Sequence, residues 1–150
     1  MSGSRSILRF IISFLLLTSA SVAIAAQMVS VDRREINMRT GPGTRYPAVF
    51  GLPRGYPLRV IARRGKWLKV RDYENDVGWV YGPLTSRRPH VVVKSDRLNI
   101  RKAPGVRHAV VAVASAGEVL RTLGHRGDWL RVARANGVAG WVSRRLVWGW

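Results

Sequence analysis

"GKWLKV" at residues 65–70 returns as "GDWLRV" at residues 127–132, and the interval of 62 positions aligns the rest of the chain without a gap. Asn37, Arg39, Pro42 and Gly43 fall on Asn99, Arg101, Pro104 and Gly105; Gly55 and Leu58 fall on Gly117 and Leu120. Gly78-Trp79-Val80 falls on Gly140-Trp141-Val142, and Leu84 on Leu146. A fixed period of this length marks one structural unit of about 60 residues used twice.

Within a unit the apolar residues run in short alternating stretches between Gly, Pro, Asn and Asp, with no sustained period of 3.6. Six strands are predicted in the first copy, over 28–31, 36–39, 48–52, 58–62, 67–71 and 78–81. "HAVVAVASA" at 108–116 has a helical composition, but its aligned partner "YPAVFGLPR" holds two prolines, which argues for a strand in both. The expected fold class is all-β, with two tandem small barrels: no helix is available to cover a sheet face, and curling hides both the apolar side and the strand edges. Alternation places Leu68, Val70 and Val80 in the core. It turns Trp67, Trp79 and, in the second copy, Trp129 and Trp141 to the other face. There the indoles either cover the barrel beneath a loop or offer a stacking platform to a sugar ring or peptide.

The chain has 150 residues, no cysteine, and 26 Lys+Arg against 8 Asp+Glu, a net charge of +18. Its 47% hydrophobic content excludes wholesale disorder. Arg5 and Arg9 precede an apolar run, residues 10–26, whose end contains Ala23-Ile24-Ala25, the layout of a secretory signal cleaved after Ala25 or Ala26. At 17 residues the run is shorter than the ~20 needed to cross a bilayer, so no stable membrane insertion is expected after cleavage. Without its two arginines the charge is +16, shared equally by residues 27–88 (13 basic, 5 acidic) and 89–150 (11 basic, 3 acidic). The expected layout is signal peptide 1–26, first barrel 27–86, linker 87–90 and second barrel 91–150, each barrel held by packing alone because no disulfide is available.

N-x-R-x-x-P-G, then G-x-W-L-[KR]-V, then G-W-V and a closing Leu resemble the bacterial SH3-like domain, and the resemblance covers most of residues 28–150, twice. It implies an SH3-like barrel that binds peptidoglycan, a wall-associated polymer or another protein, usually beside an enzyme. The corresponding expectation is an exported, non-catalytic binder of peptidoglycan or another anionic envelope polymer, located in the periplasm or secreted. The alternative is an adaptor that binds an envelope protein. Nucleic acid, which charge alone would favour, is not expected of an exported chain.

Candidate ligand-binding residues are Arg39, Arg45, Tyr46, Trp67, Tyr81 and Trp129. Arg39 and Arg101 stand on strands whose neighbours Met38 and Ile100 point inward, and either clamp a loop or meet a ligand anion. All four tyrosines (46, 56, 73 and 81) belong to the first copy, so an aromatic groove is expected there and a spacer or packing role for the second. Trp148 and Trp150 either seal the junction of the two units or stay exposed. "RTGPG" lacks the helix and the Lys-Ser or Lys-Thr of a phosphate loop; Pro42-Gly43 and Pro104-Gly105 carry the chemistry of a type II turn. His90, His108 and His125 have no metal-ligand spacing, and Asp72, Glu74 and Asp76 share one loop where they are expected to offset arginines. No metal, cofactor or catalytic constellation is expected.

Overall fold

The computed structural model describes residues 26–150; the expected signal segment falls, but for its last residue, outside them. Seven strands form the first unit: β1 (Met28–Val31), β2 (Glu35–Arg39), β3 (Ala48–Pro53), β4 (Pro57–Arg64), β5 (Trp67–Arg71), β6 (Val77–Tyr81) and β7 (Thr85–Ser86). The second repeats them as β8 (His90–Val93), β9 (Arg97–Arg101), β10 (Val110–Ser115), β11 (Val119–Arg126), β12 (Trp129–Ala133), β13 (Ala139–Ser143) and β14 (Val147–Gly149). Each unit forms its own antiparallel sheet, ordered β3-β2-β6-β5-β4-β1-β7 and β10-β9-β13-β12-β11-β8-β14. One 3₁₀ turn precedes the last strand of each, at Gly82–Leu84 and Arg144–Leu146. The all-β class and the doubled unit expected from the repeat are both present, and 108–116 contains strand β10, as its partner's prolines required.

Each sheet curls around one apolar cluster. Val29, Val31, Ile36, Met38, Leu52, Leu58, Leu68, Val70 and Val80, drawn from six strands, pack together in the first unit; Val91, Leu98, Ile100, Leu120, Leu130, Val132 and Val142 are among their counterparts in the second. The curl has visible devices. The β4–β5 register shifts between Val60 and Ala62, and the β11–β12 register shifts between Thr122 and Gly124. The β2–β3 and β9–β10 pairs carry a second shift at aligned positions. An extra residue in one strand increases local twist and bends the sheet. The residues so displaced, Val49, Ile61, Val111 and Leu123, are apolar yet exposed.

Local chemistry explains the motif glycines. Gly65 and Gly127 take φ of +57° and +54° as the first residue of the two-residue β4–β5 and β11–β12 hairpin loops, where a positive φ matches the strand twist. Gly78 and Gly140 lie where β6 and β13 press against β2 and β9 of their own sheets: a Cβ on Gly78 would stand 2.5 Å from Met38 Cγ, and one on Gly140 2.6 Å from the Arg101 carbonyl.

Two substitutions between the copies are correlated. Tyr56 leans on Tyr73 with ring centroids 6.3 Å apart, and burial, with the Asp72 charge next in weight, pushes its hydroxyl pKa upward. At the positions of Tyr56 and Asp72 the second copy has Glu118 and Arg134, joined by a fork of two hydrogen bonds at 2.7 and 3.2 Å. Where Tyr56 packs on Tyr73, its counterpart Glu118 instead pairs with Arg134, and Ala135 stands in place of the second ring.

The chain between the sheets is tied down. Ser30 is fully buried, and its hydroxyl donates to the Arg88 carbonyl at 2.8 Å while lying 3.2 Å from the Ser86 hydroxyl. At the C-terminus β14 pairs with β8, Arg59 of the first unit lies 5.7 Å from the centre of the Trp148 ring, and Thr122 donates to the Trp150 carbonyl at 2.6 Å. Trp148 therefore stands at the junction of the units, one of the two roles open to it from sequence.

Candidate functional site: a groove repeated in both barrels

The groove begins with strand register. Trp67 on β5 stands opposite Tyr81 on β6, so alternation turns both outward, and their rings meet at 5.3 Å with a 47° tilt. Such cross-strand aromatic pairs add stability beyond the area they bury, and both rings here remain partly exposed. Arg39 on β2 opposes Trp79 on β6 and reaches the same side. Trp67, Tyr81 and Arg39 line a groove of about 520 Å³ together with Glu35, Asn37, Leu84 and, from the β2–β3 loop, Gly43 and Thr44.

Arg39 holds that loop. Its Nη1 donates to the carbonyls of Tyr46 at 2.8 Å and Thr44 at 3.2 Å, and Arg101 repeats the contact to the His108 carbonyl at 2.9 Å. The Tyr46 ring lies flat on the loop backbone: a Cβ on Gly41 would sit 2.5 Å from its Cδ1, and one on Gly43 3.4 Å from its Cδ2. In the second copy Gly41 is replaced by Ala103 and Tyr46 by the smaller His108, so the space lost to one side chain is released by the other.

The type II turn expected at Pro42-Gly43 is not formed. Gly43 stays outside the left-handed region, whereas Gly105 lies at +132°. Instead the Gly43 amide donates to the Gly41 carbonyl at 3.0 Å, a three-residue reversal centred on Pro42, and a wider one follows in both copies, where the Tyr46 amide donates to the Gly43 carbonyl and the His108 amide to the Gly105 carbonyl, both at 3.3 Å. The grip of arginine on the loop carbonyls and the ring resting on the glycines set the path, which Pro-Gly propensity alone does not encode.

Of the six candidates, the structure gathers Arg39, Trp67 and Tyr81 into one groove. Arg45 and Tyr46 sit on the loop behind it: the Arg45 guanidinium lies 5.1 Å from the centre of the Tyr46 ring and donates to its hydroxyl at 3.3 Å. The tyrosines do not converge, since Tyr56 and Tyr73 pair elsewhere. Trp129 lines the equivalent groove of the second barrel, of about 450 Å³, with Arg97, Asn99, Arg101, Asp128 and Arg145. Asn37 and Asn99 are marked in the sequence by their repetition beside the arginines, and Arg145 belongs to an Arg-Arg pair that reads either as a solvated face or as a contact for an anionic polymer. Glu35, Arg97 and Asp128 carry no such signal, and only the groove brings them forward.

Among the described residues no arginine forms an ion pair with the acidic loop expected to offset them. Asp72 is buried, and its Oδ1 accepts the backbone N–H groups of Glu74 and Asp76, both at 2.9 Å. Burial pushes its pKa up, against the pull of those amides. Glu74 and Asp76 bring carboxylates within 4.8 Å of it, the one such group among the described residues, yet the best-placed oxygen already closes the loop. His90, half-buried at the junction, has its pKa lowered by burial.

A family model described as bacterial SH3 domain matches the chain twice, over residues 34–86 and 96–147. A putative N-acetylmuramoyl-L-alanine amidase of Bacillus subtilis is 23% identical over 141 residues, covering 87% of this chain and 27% of that protein. A probable cell wall amidase of Staphylococcus epidermidis is 37% identical over 46 residues, 30% of this chain and 16% of that protein. The chain thus spans well under a third of these relatives. An NlpC/P60 family protein of Bacillus cereus aligns with a TM-score of 0.39 at 15% identity, over 83% of this chain and 56% of that one.

Proposed function

The chain belongs to the bacterial SH3 domain family, with two copies of the domain, and from that premise we propose that it is an exported, non-catalytic protein that holds to peptidoglycan or another anionic polymer of the cell envelope. The observation that carries this reading is the repeated groove: an outward Trp beside an Arg and an Asn, at the same place in both barrels. An indole face suits a sugar ring or a peptide plane, and a guanidinium with an amide suits carboxylates and N-acyl groups. The relatives named as wall amidases share this part of their length with the chain, which supports the cell wall as the common surface.

Export rests on the signal layout of residues 1–26. Absence of catalysis rests on the dispersal of His90, His108 and His125 and on Asp72 being engaged by its own loop. The charge of +8 on each half adds attraction to a polyanion that salt screens over ~10 Å at 0.1 M.

Co-sedimentation of the purified chain with cell-wall sacculi, at low salt and again at 0.5 M salt, tests the reading. Enrichment in the pellet that weakens with salt is expected. Equal recovery with and without sacculi at low salt would reject it, and crosslinking in cells to one dominant protein would favour the adaptor.

A further inference from the structure

The two grooves share a frame but not a charge. Asn37, Arg39, Gly43, Trp67 and Leu84 have Asn99, Arg101, Gly105, Trp129 and Leu146 at the same places. Around that frame Glu35 becomes Arg97, Tyr81 becomes Ser143, Lys66 becomes Asp128 and Pro83 becomes Arg145. The ionisable residues lining the first groove are Glu35 and Arg39, which cancel. Those lining the second are Arg97, Arg101, Arg145 and Asp128, which leave an excess of two positive charges.

Those charges are available. Among the described residues, ion pairs join Asp32 to Arg33 and Arg88, and Glu118 to Arg134; none involves Arg97, Arg101 or Arg145. Arg101 spends Nη1 on the His108 carbonyl, which holds its guanidinium at the groove wall. Loss of the tyrosine ring to Ser143 removes the partner that covers one side of Trp67 in the first copy, and puts a hydroxyl in its place. The second groove thus combines three guanidinium groups and the Asp128 carboxylate with a hydroxyl and the partly exposed Trp129 indole.

Resting on the reading above, we propose that the two barrels divide recognition: the second groove is an oxyanion site, taking a carboxylate or phosphate group of the envelope polymer on Arg97, Arg101 and Arg145, while the first takes an uncharged ring or plane against the paired rings of Trp67 and Tyr81. Bidentate guanidinium contacts suit both oxyanions. A second barrel that merely spaced the first would have no need of three arginines on the groove its partner lines with one.

The probes are inorganic phosphate and acetate, titrated at constant ionic strength into the ¹⁵N-labelled chain while the indole N–H signals of the six tryptophans are followed by NMR. Trp129 is expected to move and Trp67 to stay. The pair of changes Arg97→Gln and Arg145→Gln, which removes the excess of two positive charges and gives the second groove the charge of the first, is expected to weaken the response at least tenfold with the other indole signals in place. A response to acetate alone assigns the site to carboxylates, and one to phosphate alone assigns it to phosphate-bearing polymers. No movement of Trp129 with either anion, equal movement of Trp67, or an undiminished response in the double variant would overturn the proposal. Sacculus sedimentation of the same samples keeps the two readings apart. Wild-type pelleting without any Trp129 response rejects the oxyanion site alone; a Trp129 response without pelleting rejects the wall reading alone.

Discussion

Replacing Arg39 with Ala separates holding the loop from holding a ligand. The guanidinium makes two hydrogen bonds to loop carbonyls, at 2.8 and 3.2 Å, and the residue is only partly buried. A hydrogen bond from a charged donor contributes about 1.5–3 kcal/mol when shielded. With one short bond, one long bond and partial solvent access, we expect a loss of about 1–2 kcal/mol. For a domain of about 60 residues each kcal/mol moves the midpoint by roughly 4–8 °C, so the first barrel should melt about 4–16 °C lower. Arg101→Ala removes one bond, at 2.9 Å, and should cost the second barrel about half as much. Thermal melting by circular dichroism reads both effects, and the Tyr46 ring signals should broaden as the loop loosens. An unchanged midpoint for Arg39→Ala, together with loss of sacculus binding, would refute the clamp and make Arg39 a ligand contact.

Three further outcomes are expected. Gly41→Ala should destabilise the first barrel because the new methyl group meets the Tyr46 ring, and Tyr46→His should restore most of the loss, as Ala103 beside His108 does in the second copy; a double-mutant cycle measures the coupling. Gly78→Ala should cost at least ~1–3 kcal/mol in urea unfolding, since its Cβ would lie 2.5 Å from Met38 Cγ and 3.0 Å from the Arg39 carbonyl. Burial lowers the pKa of His90 in the folded chain, so the unfolded chain binds its proton more readily; stability present above the unfolded value near 6.5 should fall as pH drops through it toward the folded value, and His90→Gln should flatten that slope in melting curves taken across this range.

The fold was legible because repetition and alternation are written in the same residues. Leu68, Val70 and Val80 follow from "WLKV" and "GWV" alone, and they are buried as that pattern requires. Four strands extend beyond the predicted ends, β2, β3 and β6 by one residue each and β4 to Pro57 and Arg64; in β4 a bulge after Val60 adds a residue that periodicity reads as a break. The β2–β3 loop was misread for a different reason. Proline and glycine propensities describe a turn in isolation, while this loop is shaped by Arg39 and Tyr46 acting across several residues. Half of the groove was visible as conspicuous aromatic residues. Its charged rim was not, because Arg97 is ordinary among so many arginines and Arg145 stands in one of four Arg-Arg pairs that read alike. Overlaying the copies on the structure separates these two from the solvated rest. The pairing of Glu118 with Arg134, in place of Tyr56 beside Asp72, was hidden likewise, since each position differs without an obvious partner.

Sacculus co-sedimentation of the Trp67→Ala, Trp129→Ala double variant bears most directly on the repeated groove as the binding surface. Both tryptophans are half-exposed and outside the apolar clusters, so the double variant should stay folded by circular dichroism. It should leave the pellet at low salt while wild type remains. A folded double variant that sediments as fully as wild type would contradict the account, and would move recognition to the charged surface outside the grooves.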